Sequence, residues 1–165
     1  MHATDGLSQR AEILRQSQHF PFFKLIGLEI LDLAPGRSST QITWRPDLQQ
    51  PAGLLHGGVI ASLIDTGTAY ALLLCDELQN TFRAGGSLVT VDLRVKYLRP
   101  VSTGTITCES QVSRMGRQII HVDAVVTSDN NREVARGDAI YTTVTPESQT
   151  IKAENHTNHP ASDTK

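Results

Sequence analysis

His56-Gly57-Gly58-Val59-Ile60-Ala61-Ser62-Leu63-Ile64-Asp65-Thr66-Gly67-Thr68-Ala69-Tyr70-Ala71-Leu72-Leu73-Leu74-Cys75 is a long apolar stretch in which Asp65 is the only charged side chain. Its length suits a helix rather than a strand, and predicts one helix from Gly57 to about Cys75 or Leu78. A helix apolar nearly all round must be covered nearly all round. A bilayer is a poor cover, because a carboxylate near its midplane costs roughly 2.5–3.5 kcal/mol. Ser62, Thr66 and Thr68 add polar groups to the same stretch. The reading is a buried core helix, with no membrane partner.

The segments around this helix read as strands. Upstream lie Gly27 to Leu33 and Ser38 to Trp44, with Leu33-Ala34-Pro35-Gly36 as turn chemistry between them. Downstream lie Ser87 to Leu98, Thr105 to Ser113, Gln118 to Thr127 and Glu133 to Val144. In the first of these, Leu88, Thr90, Asp92, Arg94 and Lys96 share one parity, and strict alternation sets them on one face. Arg114-Met115-Gly116-Arg117 and Asp129-Asn130-Asn131 read as turns. Four strands in meander-like succession imply antiparallel pairing. The fold class is therefore α+β, one antiparallel sheet against one helix.

The remaining segments set the domain limits. Residues 1–18 are polar, with Leu7, Ala11 and Leu14 at helical spacing, and predict a short helix capped by Ser8. In Phe20-Pro21-Phe22-Phe23 the aromatics read as core packing and the proline as a helix breaker. Residues 45–56, with two prolines and a glycine, read as a loop. The folded domain spans 19–145, and the polar stretch 146–165 reads as a disordered tail.

A length of 165 residues suits one domain. A net charge of −2 lacks the basic footprint of a nucleic-acid binder, which excludes DNA and RNA but not a phosphorylated small ligand. Cys75 and Cys108 read as reduced thiols of a cytoplasmic protein, with a disulfide still open. No closely spaced Cys/His set points to zinc, and His156 and His159 read as solvated tail residues. The first residues lack a basic stretch followed by an apolar core, so no signal peptide is expected.

Two features carry chemistry. An ionised carboxylate at Asp65, beside Leu63, Ile64, Ala69 and Leu72, needs a partner. His56-Gly57-Gly58 opens the helix, where the first N–H groups lack intrahelical acceptors and sit at the positive end of the dipole. Glycines leave that backbone open to a ligand. It suits a carbonyl oxygen that becomes negative during reaction. Eight residues separate Gly57 from Asp65, roughly 12 Å at about 1.5 Å per residue. The two cannot serve one reaction within one chain, so a two-fold dimer with composite sites is expected.

Leu55 to Thr66 closely resembles the signature of hotdog thioesterases of the phenylacetyl-CoA thioesterase (PaaI-like) family: His-Gly-Gly, then an acid nine positions after the His. Thr90-Val91-Asp92-Leu93-Arg94-Val95-Lys96-Tyr97-Leu98-Arg99-Pro100 looks like the family's central strand, and Gly116-Arg117 fits a later hairpin. The likeness spans about Phe20 to Thr145. It implies a hotdog fold, an antiparallel sheet wrapped around one long central helix. It implies hydrolysis of an acyl- or aryl-CoA thioester, with coenzyme A as part of the substrate and no separate cofactor or metal. Asp65 would be general base or nucleophile, and the Gly57 N–H, with Gly58 beside it, would hold the thioester oxygen. His56 would orient the loop, and Thr90 would position water or Asp65. Arg99 and Arg117 would meet coenzyme A phosphates. Where the family often has Asn in the loop, this chain has Gln50, with the same amide on a longer reach. A homodimer or a homotetramer fits equally, and the acyl group is not readable.

Rival chemistries fit less well. A serine hydrolase lacks its Gly-x-Ser-x-Gly elbow. A hotdog dehydratase or hydratase would also use an acid and a His, but the Gly-Gly helix start followed by Asp65 favours hydrolysis. A non-catalytic acyl-CoA binder is the third alternative, separated from the others by turnover.

Overall fold

The structure is a computed structural model that describes residues 3–146, with side chains from residue 6 onward. The tail expected over 146–165 lies outside the described residues, Pro146 excepted. Ten elements follow in order: α1 (Ala3–Ser17), α2 (Pro21–Ile26), β1 (Leu28–Ala34), β2 (Arg37–Thr43), α3 (Gly57–Tyr70), α4 (Asp76–Arg83), β3 (Ser87–Tyr97), β4 (Thr105–Met115), β5 (Ile120–Ser128) and β6 (Glu133–Val144). A short 3-10 turn, Pro46–Leu48, sits inside the loop before α3.

The strands form one six-stranded antiparallel sheet in the order β1-β2-β4-β5-β6-β3. The α+β expectation therefore holds, and the simple meander does not. The short turns after β4 and β5 make true hairpins, but β3 pairs with β6 and leaves its other edge open. Residues 98–104, rigidified by Pro100, carry the chain across from β3 to β4 instead of closing a hairpin.

The central helix packs on the sheet through Leu63 and Ile64, both fully buried. Two glycines permit this close approach. A Cβ at Gly67 would lie 2.8 Å from Ser110 Oγ, and one at Gly137 of β6 would lie 2.7 Å from Ile64 Cγ2. Ser38 Oγ donates to the Gly67 carbonyl at 2.6 Å and pins the helix to β2. Contrary to the expectation of cover nearly all round, Val59, Ala61, Ser62, Asp65, Thr66 and Ala69 stay partly open within one chain. That stripe faces away from the apolar seam.

The helix ends at Tyr70, short of the expected Cys75 or Leu78. Leu72, Leu73 and Cys75 donate to carbonyls three residues back, which tightens the chain into turns. Burial hides this break from periodicity: Ala71 and Leu72 fill a second core with Leu78, Ile120 and Tyr141. A separate helix, α4, follows with Asp76 and Glu77 in its first turn and Arg83 in its last, the charge order that suits the helix dipole. Nearer the N-terminus, α1 runs over 15 residues, so Ser8 lies inside it and is not its cap. Ile13 and Leu14 pack beside buried Leu33, Tyr70 and Leu74. Pro21 does not break a helix but starts α2 at its first position, where no N–H is needed. Both cysteines are free, buried thiols.

Candidate active site

The site builds from the facing of α3 and β3, which run in opposite directions. Near one end Thr90 Oγ1 donates to Asp65 Oδ1 at 3.2 Å. Near the other, Tyr97 OH donates to the Gly57 carbonyl at 3.0 Å. Seven residues separate Thr90 from Tyr97, so strict alternation would put them on opposite faces. A β-bulge resolves this. Thr90 pairs with Tyr141 and Asp92 with Ile140, which leaves Val91 as an extra residue. Parity reverses there: Leu88 and Thr90 share the helix-facing side with Leu93, Val95 and Tyr97. The expected grouping of Thr90 with Asp92, Arg94 and Lys96 on one face is therefore corrected. A bulge of this kind re-aims a side chain next to a site.

Asp65 is half-buried on α3. Beneath it Tyr141 OH, on β6, donates to the Asp65 carbonyl at 3.0 Å and lies 2.7 Å from Thr68 Oγ1. Thr68 Oγ1 in turn contacts the carbonyls of Ile64 and Asp65 at 2.8 and 3.0 Å. Tyr141 is only 1% exposed, and burial pushes its phenol well above the ordinary value of 10.0. It therefore stays protonated and remains a donor to the helix turn that carries the acid.

The helix start is organised differently. His56 is the N-cap of α3, and its Nδ1 accepts the Gly58 N–H at 2.9 Å. A neutral imidazole in this role carries its proton on Nε2. Gly58 thus offers a ligand space rather than a donor, and a Cβ there would crowd Nδ1 at 3.0 Å. The Gly57 N–H has no acceptor among the described residues. A Cβ at Gly57 would lie 3.3 Å from the Tyr97 ring. Upstream, the loop is fixed by His56 N–H to the Leu48 carbonyl at 2.8 Å and Leu55 N–H to the Val101 carbonyl at 2.7 Å.

A cleft of about 310 Å³ opens here, lined by Gln50, Gly57, Ile60, Tyr97 and Arg99 among others. The amide oxygen of Gln50 accepts the Ala52 N–H, so it folds back on its own loop. Arg99 donates to the Glu133 carbonyl. Arg117 lies apart from this cleft, in the β4–β5 turn, at the end of the sheet row Ile120–Tyr141–Thr90. Within one chain the structure thus gathers Gln50, His56, Gly57, Gly58 and Arg99 at one end, and Asp65 and Thr90 at the other. Tyr97 and Tyr141 were missed by sequence reasoning. The signal for Tyr97 was its place seven residues after Thr90, legible only once the bulge is known. Among the described residues no group of three or more His, Cys, Asp or Glu is placed to hold a metal, and no helix is long and apolar enough to cross a membrane.

Comparison with known proteins gives a consistent picture. Residues 52–135 match the family described as "Thioesterase superfamily". The medium/long-chain acyl-CoA thioesterase YigI of Salmonella typhimurium is 28% identical over 74% of this chain and 85% of its own. The structure of the conserved protein PA5202 from Pseudomonas aeruginosa aligns with a TM-score of 0.69 at 25% identity, over 79% of this chain and 98% of that one. The PaaI protein of Escherichia coli shares the fold, with a TM-score of 0.70 at 22% identity over 87% of this chain and 96% of its own.

Proposed function

The chain belongs to the thioesterase superfamily and is a thioester hydrolase; on that premise we propose that it hydrolyses acyl-CoA, with Asp65 activating water or attacking as nucleophile, in a site shared between two protomers. The observation that carries this reading is the half-buried Asp65 carboxylate, held by Thr90 on a strand with an open edge.

In the general-base route Asp65 takes a proton from water as its oxygen bonds to the thioester carbon. The carbonyl oxygen becomes an oxyanion that accepts the free Gly57 N–H at the positive end of α3. The tetrahedral carbon then expels the thiolate, which gains a proton to leave as coenzyme A, and the acid remains. A positioned base contributes about 10²–10⁴-fold and an oxyanion donor roughly 10²–10³-fold. Thioesters are activated enough for this equipment to suffice.

Asp65 and Gly57 lie about two turns apart on one helix, so a second protomer must supply one of them. The open edge of β3 supports where it comes from. That strand is 11 residues long with Val89 and Val91 exposed, an edge that invites pairing. A two-fold axis at Arg94, the middle rung once Val91 is passed over, sets Thr90 of one protomer across from the partner subunit's Tyr97. Asp65 then approaches the partner subunit's Gly57. Free-thiol release from a panel of acyl-CoAs tests the activity, and light scattering during turnover tests the shared site. Turnover by a strict monomer would sink it.

A further inference from the structure

The open edge of β3 carries a side-chain pattern that complements its own reverse. On the side turned away from α3 lie Val89, Asp92, Arg94 and Lys96. Leu98 extends the ladder by donating its N–H to the Val134 carbonyl at 2.9 Å. With Val91 passed over, since it has no counterpart on β6, the row runs apolar, acid, base, base, apolar. An antiparallel copy centred on Arg94 sets Asp92 across from the partner subunit's Lys96, and Lys96 across from the partner subunit's Asp92. Val89 then meets the partner subunit's Leu98. Both residue types are exposed within one chain, at 42% and 48%.

Neighbouring registers fit less well. An axis at Val95 opposes Arg94 with the partner subunit's Lys96, a like charge, and sets Asp92 against the partner subunit's Leu98. An axis at Leu93 keeps one acid–base rung, Asp92 with the partner subunit's Arg94. It also sets apolar Val89 against the partner subunit's Lys96, and moves Thr90 away from the partner subunit's Tyr97. With the axis at Arg94 the two Arg94 side chains meet, but each is drawn aside by an ion pair to its own Asp92 at 2.8 Å. Inside the chain the cross-strand neighbour of Lys96 is Arg136, a like charge, so its acid lies across the two-fold. Opposite charges on facing strand positions stabilise pairing and like charges oppose it, and a slip in register moves every side chain. We propose that Asp92 and Lys96 form the register-setting pair by which two copies of this chain recognise each other along β3. The pair rests on the shared-site reading above and adds to it two residues outside the site, whose charges align Asp65 with the partner subunit's Gly57.

The test co-expresses pairs of full-length chains under two separable tags and sorts the dimers by native mass spectrometry. Two native chains give the statistical share of mixed dimers. Asp92→Lys paired with Lys96→Asp sets lysine across from aspartate on both rungs, whereas each variant alone holds two like-charge rungs. Mixed dimers should then exceed the statistical share roughly ten-fold relative to either like dimer. The doubly swapped chain, Asp92→Lys with Lys96→Asp, keeps the native charge and dimerises with itself. Against the native chain it holds only like-charge rungs, so mixed dimers should fall roughly ten-fold below the statistical share. The swapped chain keeps the test decisive if a single variant fails to fold. Statistical shares in these pairings overturn the proposal; an axis at Leu93 gives that share for the first pairing and weakens the swapped chain's own dimer. The sorting needs no substrate, so a native dimer without thiol release sinks hydrolysis while the tag shares still decide the pair. A monomeric native chain overturns the pair.

Discussion

The two ends of the α3–β3 pair are built in opposite ways. At the acid end, Asp65 sits on a helix turn bound from below by a phenol that is 1% exposed and by Thr68, which is fully buried. At the donor end, Tyr97 is 55% exposed, and the contacts are one phenol to a carbonyl and one imidazole to an amide. The contrast follows from what each end must supply. The Asp65 carboxylate itself is held by Thr90, while Tyr141 and Thr68 fix the backbone turn that carries it. The Gly57 N–H proposed as oxyanion donor is a backbone group already fixed by the helix, so it needs access more than support. One end is assembled by the core and the other by a helix terminus.

Breaking the acid end at its centre gives the largest effect. Asp65→Asn keeps the shape but not the base, and kcat for thiol release should fall about 10²–10⁴-fold. Turnover within a few-fold of the native chain, with the fold intact by circular dichroism, would refute the role. Tyr141→Phe tests the support below it. It leaves the Asp65 carbonyl without that donor, and denaturant unfolding should show a loss of about 1–3 kcal/mol. The same buried protons set an alkaline limit. Burial pushes Tyr70 up to about 12 and Cys108 up to about 11, and Tyr141 upward as well. Each folded pKa exceeds the unfolded one, so the unfolded chain releases these protons first. Stability is complete below the ordinary values of 9.0 for the thiol and 10.0 for the phenols, and is lost as pH climbs through the folded values. Tyr141→Phe should flatten that decline, measured as unfolding free energy against pH.

Changes at the donor end are smaller in stability. His56→Ala removes the N-cap of α3 and should cost about 1 kcal/mol, together with a fall in kcat for thiol release as the proposed oxyanion donor at Gly57 loses its fixed place. Tyr97→Phe deletes one exposed hydrogen bond and should cost about 0.5–1.5 kcal/mol or less. A Tyr97→Phe loss as large as that of Tyr141→Phe would erase the contrast between the two ends.

Which parts were legible in the sequence follows from the range of each signal. Asp65 and His56-Gly57-Gly58 stand out because a lone acid in an apolar run and a glycine pair before a helix are visible along the chain itself. The strand positions came from alternation, and hairpin turns located β4, β5 and β6. The order of the sheet did not, because the partner of β3 is set by packing across α3 and not by the turn that follows it. Thr90 entered through family resemblance, while its face was misjudged. Tyr141 carried no sequence signal: like Tyr97 it reads as an ordinary strand aromatic until its hydroxyl is seen under the helix. The end of α3 was missed because burial continues through the turn after Tyr70.

Val91 works as a phase shifter. By being an extra residue with no counterpart on β6, it lets a single ribbon address both extremities of the helix beside it. Deleting that residue would restore ordinary alternation and leave the ribbon able to reach either the Asp65 carboxylate or the Gly57 carbonyl, never the two together. A relative built without the insertion must recruit its hydroxyl from some other element.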